Sequence, residues 1–474
     1  MTAGPGGVLP GPAFHKFHSF HETLFIQEPK MNWIISLTLL LGASEAPPAW
    51  PGFLGAGATA IDPQSLPLRW SPTAGIAWTR ELPGYGQSSP VIWGDRVYVT
   101  TIEGDQKERL HVICCSLASG EVLWDHVTAS TNPEQASVYI SRAAPTPVVD
   151  ARAVYAYFEG GDVVAISPDG ELLWQRSLAH DYGKPQNKFG LSSSPVQTAE
   201  RLFVLVDDEG PAYLVAIEKG TGEVAWKMDR SSRKSWVSPM LVTVAGEQQL
   251  VVSSDGSIDG YRPADGQLLW SYKEVGGNTG TTPLPAGEGR FLVSASAGRD
   301  GENAELAKSS NGLFQIERQG EQYAGKFAWT NPAVSPSWGS PIVHEGFAYW
   351  VNRSGVVWCL NLQDGSTTYT ERTQQGVWAT PVAAGERIYL FGKDGLTTVL
   401  KAGPEFAVLA ENLLWNPASP PVNRAPTAEE QTEERRRAQT MFSRPTLYGA
   451  AVVNGHIVLR TGSQLFCIAQ PTPR

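Results

Sequence analysis

The residues with the clearest chemical potential are the adjacent cysteines Cys114 and Cys115, in "VICCSLASGEVLW". Two neighbouring thiols could form a redox device, or they could be two ordinary strand positions that carry the same residue. Consecutive Cα atoms lie about 3.8 Å apart, below the ~4.4–6.8 Å of most disulfides, and successive strand residues point to opposite faces. The strand reading is therefore the simpler one. The acidic run Asp207–Asp208–Glu209, in "VLVDDEGPAYLV", invites a cation. Calcium needs further converging oxygens, so a run between two strands reads more simply as a turn. His111, His126, His180, His344 and His456 are dispersed without zinc-ligand spacing. No nucleophile elbow, phosphate loop or dinucleotide fingerprint sits in a strand–turn–helix setting. The sequence offers neither a catalytic constellation nor a metal site.

The elements that would position such residues come from an internal repeat. Four stretches end alike: "GEVLW" at Trp124, "GELLW" at Trp174, "GEVAW" at Trp226 and "GQLLW" at Trp270. A fifth unit reaches "GKFAW" at Trp329 after the excursion "AGRDGENAELAKSSNG", and a sixth places Tyr369 where the Trp is expected. Upstream of these endings recurs a Ser/Thr-Pro followed by two apolar runs: "SSPVIWGDRVYVT" at Pro90, then copies at Pro147, Pro195, Pro239, Pro283, Pro341 and Pro381. An eighth copy, "GAAVVNGHIVLR", carries Ala451 in place of the proline. Each unit reads as four strands with a Gly turn before the last, the pattern of a propeller blade. The eighth copy stops at "QLFCIAQPTPR" without an outer strand, while "GIAWTRELPG" is an outer-strand ending, with Trp78, that belongs to no earlier unit. The N-terminal strand is therefore expected to complete the last blade and close the ring, leaving no unpaired edge.

The expected architecture is all-β, an eight-bladed β-propeller of four-stranded antiparallel blades over residues 76–470, with an insertion at 416–445. The alignment puts Cys114, Cys359 and Cys467 at one small-residue position, filled by Ala165, Ala216 or Gly260 in sister units. A small side chain there leaves room for the outer-strand Trp, so Trp78, Trp124, Trp174, Trp226, Trp270 and Trp329 are expected to dock structurally. Abundant Gly (48) and Pro (35) with only 18% charged residues suit many short strands and turns. The net charge of -10 argues against a phosphate-binding surface and a nucleic-acid partner.

The chain's start reads in three parts. Residues 1–30 lack hydrophobic periodicity and read as a misassigned or disordered extension. In 31–46, "MNWIISLTLLLGASEA", an apolar run precedes Ser44 and Ala46 at signal-peptidase spacing, which makes it a signal-peptide candidate; the alternative is an amphipathic segment docked on the domain. The run is too short to span a bilayer, so no transmembrane anchor is expected. Residues 47–75 form a lead-in. Periplasmic or secreted localisation and a monomer are expected.

The A-x5-G-x3-W endings and the "SSPV…GDRVYV" openings resemble the repeats of the pyrroloquinoline-quinone (PQQ)-like β-propeller superfamily over most of residues 76–470. The lead-in "AWPGFLG" with "PLRWSPTAGIAWTRELPGYGQSSPV" is similar to exported propellers of planctomycete-type bacteria. The resemblance implies two functional classes, quinoprotein dehydrogenases and BamB-like assembly factors. Dehydrogenases of the family carry an adjacent cysteine pair near the axial quinone, whereas Cys114–Cys115 lies farther out in a blade. The family's calcium ligands of Glu, Asn and Asp, and its catalytic Asp, have no matching motif here. The expected function is thus an exported, non-catalytic scaffold for protein or ligand binding, of the envelope-assembly kind, with envelope proteins or a small ligand as partners and no cofactor. The alternative is a PQQ-dependent dehydrogenase, with PQQ and calcium, that oxidises an alcohol or sugar. Arg142, Lys188, Trp236, Trp338, Trp378 and Tyr448 lie in loops entering the innermost strands and are expected to gather at one channel mouth, where aromatic and Arg residues suit binding. The alternative for the Trp residues is packing between blades.

Overall fold

The computed structural model describes Met1 and residues 46–55, 62, 64–137, 139–298, 301–424, 433, 436 and 444–470. The expected leading extension and the export candidate, apart from Met1 and Ala46, lie outside the described residues, as does most of the charged part of the insertion.

Eight antiparallel sheets make up the fold, seven of four strands and one of five. Blade one comprises Val91–Trp93, Arg96–Glu103, Arg109–Ser116 and Val122–Ala129. Blade eight joins Gly449–Val453, His456–Arg460 and Gln464–Ala469 to the N-terminal strand Ile76–Glu81, with Trp78 opposite Cys467. The ring therefore closes by joining the two ends of the chain. First strands of neighbouring blades touch and line the axis. Strands in the middle of each blade are packed on both faces, which explains continuous apolar runs such as Leu202–Val206; outermost strands such as Gln322–Thr330 alternate half-buried and exposed.

All eight blades carry a register shift at the same place, where the third strand meets the fourth. An extra residue in one strand sharpens the local twist and re-aims the neighbouring side chain. In five blades that side chain is a Trp that crosses to the next blade. The indole N–H groups of Trp78, Trp124, Trp174, Trp226 and Trp329 donate to the carbonyls of Leu117, Pro168, Lys219, Pro263 and Leu362 at 2.8–3.0 Å. Each ring covers a turn glycine, respectively Gly120, Gly170, Gly222, Gly266 and Gly365. All five glycines have positive φ, and a Cβ on any of them would come within 3.0 Å of the indole. Glycine is demanded there twice over. Trp270 is the exception: its indole donates to Gln249 Oε1 of its own blade at 2.7 Å, and the fifth blade presents no such turn to it.

A second stitch runs nearer the axis. The backbone N–H of Ser89 donates to the hydroxyl of Thr146, Thr146 to Ser194, Ser194 to Ser238, Ser238 to Thr282, Thr282 to Ser340, and Ser340 to Thr380, all at 2.9–3.1 Å. These are the Ser/Thr residues of the repeated Ser/Thr-Pro. Proline fixes the next residue and carries no N–H, so the preceding residue's amide and hydroxyl alone make the link. In blade eight Ala450 and Ala451 stand in these places and offer no hydroxyl.

The lead-in enters the channel itself. Ala49–Trp50 pairs with the innermost strand of blade one, and the carbonyls of Pro48 and Pro51 accept from Gly94 and Val149 of blades one and two. Farther on, Ser65 Oγ accepts from Gly455, Tyr389 Oη and Arg387 donate to Pro67 and Leu66, and Asn412 brackets Trp70 by accepting from its N–H and donating to Leu68. Trp70, whose Cβ sits beside Gly75, shares a core with Ala410, the residue that replaces the docking Trp in blade seven.

Candidate functional site

The cysteine pair is settled by its surroundings. Cys114 pairs across from Trp124 and packs toward blade two, whereas Cys115 packs into the core shared with blade eight. All four thiols are unbridged and buried, and desolvation pushes Cys114 and Cys467 up to about 12 and Cys115 and Cys359 to about 11. A thiol held protonated in this way is a poor nucleophile and a poor metal ligand.

The acidic run is also committed. Asp207 accepts from Arg230 at 2.8 Å, and Asp208 accepts from the N–H groups of Gln186, Asn187 and Gly210 at 2.7–2.8 Å. Glu159, buried and raised by desolvation, faces Lys107 at 3.4 Å and accepts from the N–H of Ala143. Among the described residues no group of three or more His, Cys, Asp or Glu could hold a metal ion. Each of these three carboxylates already has internal partners.

The six mouth residues fall into three groups. In the first, Tyr448 and Tyr85 share a 2.9 Å hydroxyl–hydroxyl hydrogen bond, and the Arg142 guanidinium lies 4.1 Å above the Tyr85 ring. Arg142 is fully buried, so it is not part of the accessible surface. In the second, Trp338 and Trp378 meet edge-on, with centroids 4.4 Å apart; Arg353 sits over Trp338 at 5.5 Å and Lys393 over Trp378 at 5.1 Å. Trp338 remains 42% exposed. In the third, Lys188 and Lys234 lie 5.0 and 5.3 Å from the ring of Phe189, which Tyr139 stacks on one side and Trp236 meets on another. Trp236 donates to the carbonyl of Gly190 in the neighbouring blade, so it packs and ties at once. Trp236, Trp338, Trp378 and Tyr448 occupy the same place in their repeats, three residues before the Pro or its replacement.

Sequence reasoning missed Tyr85, Phe189, Lys234, Arg353, Lys393 and Arg460, each of which faces one of the mouth residues or Tyr85. The available signal was position: Arg353 and Lys393 lie in the connections after the second strands of blades six and seven. Near the root of the insertion, Gln375, Asp394, Trp415, Pro417, Pro420, Arg444 and Pro445 line a cavity of about 140 Å³.

A family described as "Outer membrane protein assembly factor BamB" matches residues 69–186 and 184–299. A comparison with curated proteins finds no match. Among solved structures, BamB from Moraxella catarrhalis superposes with a TM-score of 0.54 at 11% identity, covering 84% of this chain and 98% of that one. The quinohemoprotein alcohol dehydrogenase from Comamonas testosteroni gives 0.55 at 10% identity, over 90% and 82% of the two chains. At such identities the likeness concerns the fold. The family match over residues 69–299 and the repeat geometry support a PQQ-like β-propeller.

Proposed function

We propose that the protein is an exported, non-catalytic propeller that holds a partner protein at its loop-side mouth, in the manner of an envelope or outer-membrane assembly factor. The observation that carries this reading is the Trp338–Trp378 pair, half open to solvent and flanked by Arg353 and Lys393. Exposed Trp beside Arg is the composition of an interface anchor, and the cations suit an acidic segment. The match to the BamB family supports the assembly role. A photo-crosslinking residue at position 338 tests it. Recovery of a discrete envelope protein, lost in the Arg353→Ala, Lys393→Ala double variant, is the expected result. No crosslinked partner, together with normal outer-membrane protein levels in a deletion strain, would overturn it.

A second reading, a PQQ-dependent dehydrogenase, is favoured only by the fold shared with the Comamonas enzyme. The buried, divergent cysteines and the internally paired carboxylates weigh against it. Titration with PQQ and calcium is expected to give neither a quinone absorbance nor acceptor reduction with alcohols or sugars.

A further inference from the structure

Buried cations in this protein are paired with carboxylates. Arg230 has Asp207, Lys219 has Asp150 at 2.6 Å, and Lys107 has Glu159. The seam between blade eight and blade one breaks the pattern. Arg142 and Arg460 are both fully buried, and among the described residues neither has a carboxylate within 4.0 Å. Arg460 reaches across the seam to donate to neutral oxygens, the Ser88 carbonyl and hydroxyl and the Thr100 carbonyl, while its Nε has no acceptor. Arg142 is more extreme: Nε, Nη1 and Nη2 are all buried without an acceptor. Both guanidinium charges bear on Tyr85, whose hydroxyl meets that of Tyr448. One proton serves that hydroxyl pair, so the second phenol proton remains available to a further acceptor.

A guanidinium cannot escape this cost by losing its proton, since Arg stays charged in proteins. Leaving a buried charge unpaired costs several kcal/mol in general, far more than a neutral donor. We propose that this seam holds a compact monoanion, a halide-sized ion or the carboxylate head of a small ligand, bound by the Arg142 guanidinium beside Tyr85 and Tyr448 and balanced by Arg460. Desolvation, which pulls the Arg460 guanidinium down to about 9, is relieved by the same anion. The inference goes beyond the partner-binding reading and does not depend on it, because Trp338 and Trp378 lie in a different group of residues.

The test uses the intact propeller. Crystals soaked in sodium bromide are expected to show an anomalous peak within hydrogen-bond distance of an Arg142 nitrogen. Displacement of that peak by acetate identifies a carboxylate site, and its retention identifies an inorganic-ion site. Ordered water alone at Arg142 would overturn the proposal. In solution, the thermal midpoint should rise by several degrees when chloride or acetate replaces methanesulfonate at equal ionic strength. That rise should vanish in Arg142→Met and persist in Arg353→Ala. An equal rise in Arg142→Met would also overturn it, and should that variant not fold, the bromide map on the wild type decides. Failure of crosslinking at Trp338 would leave these results untouched, so the two readings can fall separately.

Discussion

The seams between successive blades from one to seven differ from the seam where blade eight meets blade one, and the difference separates two ways of joining blades. Along the first set, a hydroxyl of the Ser/Thr-Pro accepts an amide N–H from the preceding blade, six times in succession. At the closure, an Arg from blade eight bridges to blade one by donating to the Ser88 and Thr100 carbonyls, whereas the hydroxyl that Ala450 lacks is missing from the seam between blades seven and eight. The outer Trp stitch behaves independently. It is intact at the closure, where Trp78 covers Gly120, and absent between blades four and five, where the inner hydroxyl link holds. At each of these two seams one device remains where the other is missing. Between blades seven and eight the lead-in supplies Trp70 where the outer strand has only Ala410.

The largest effect should follow from breaking the outer stitch where it is regular. Trp174→Ala removes a ring that fills the space over Gly222 and donates to Lys219, and a loss of ~3–5 kcal/mol is expected from large-to-small core changes. Chemical denaturation reads it, and a loss below about 1 kcal/mol would mean the indole is not a docking element. Gly222→Ala should reproduce part of the damage from the other side, since a Cβ would lie 2.7 Å from the Trp174 ring at a φ of +74°.

The closure should be the next most sensitive. Arg460→Met is expected to cost ~2–4 kcal/mol, because two buried carbonyls lose their donor while an aliphatic chain keeps most of the volume. The inner belt comes after it. Thr146→Val leaves the Ser89 amide without its acceptor and should cost ~1–3 kcal/mol, whereas Ala450→Val at the seam that has no hydroxyl link deprives no donor. Equal losses from the two valine variants, measured by urea unfolding, would show that the belt contributes packing and no hydrogen bonding.

What was legible in the sequence follows from which interactions are local to the repeat. The Gly turn, the small residue six positions before it and the Trp four after it lie within one unit, so the blade count, the ring closure and the place of three cysteines could be read directly. The Ser/Thr-Pro was visible as a strand opening, yet its hydroxyl acts on the neighbouring unit, 40–58 residues away along the chain. No pattern inside one repeat announces that. The lead-in has no periodicity, and its place in the channel depends on free backbone groups of the innermost strand, which sequence does not display. At the mouth, the aromatic positions were readable because they recur. The burial of Arg142 was not, because it depends on Tyr85 folding over from the loop of another blade.

Alkaline pH should weaken the whole ring by a smaller and calculable route. Burial raises the Cys114, Cys115, Cys359 and Cys467 thiols to about 11–12, against about 8.5 for a free thiol. An acid whose folded pKa is raised favours the folded state fully below its unfolded value. That contribution falls as pH rises, since the unfolded chain ionises first. Stability should therefore decline from near pH 8.5 upward, and the Cys114→Ala, Cys467→Ala double variant should show a shallower decline.

The smallest effect is the most discriminating for the cysteine pair. Cys114 faces Trp124 in the position that Ala165 and Ala216 fill opposite Trp174 and Trp226, so Cys114→Ala should lie within about 1 kcal/mol of the wild type. Cys114→Leu must push against a fully buried neighbourhood and should cost ~1–3 kcal/mol. Because Cys115 lies in a different core, Cys115→Ser should cost its own desolvated hydroxyl without altering the effect of Cys114→Ala, and the double variant should be additive. Reductant should leave all the melting curves where they are. A pair that worked as a redox unit would give the reverse: equal damage from either small replacement, strong non-additivity, and a wild type that loses stability when reduced.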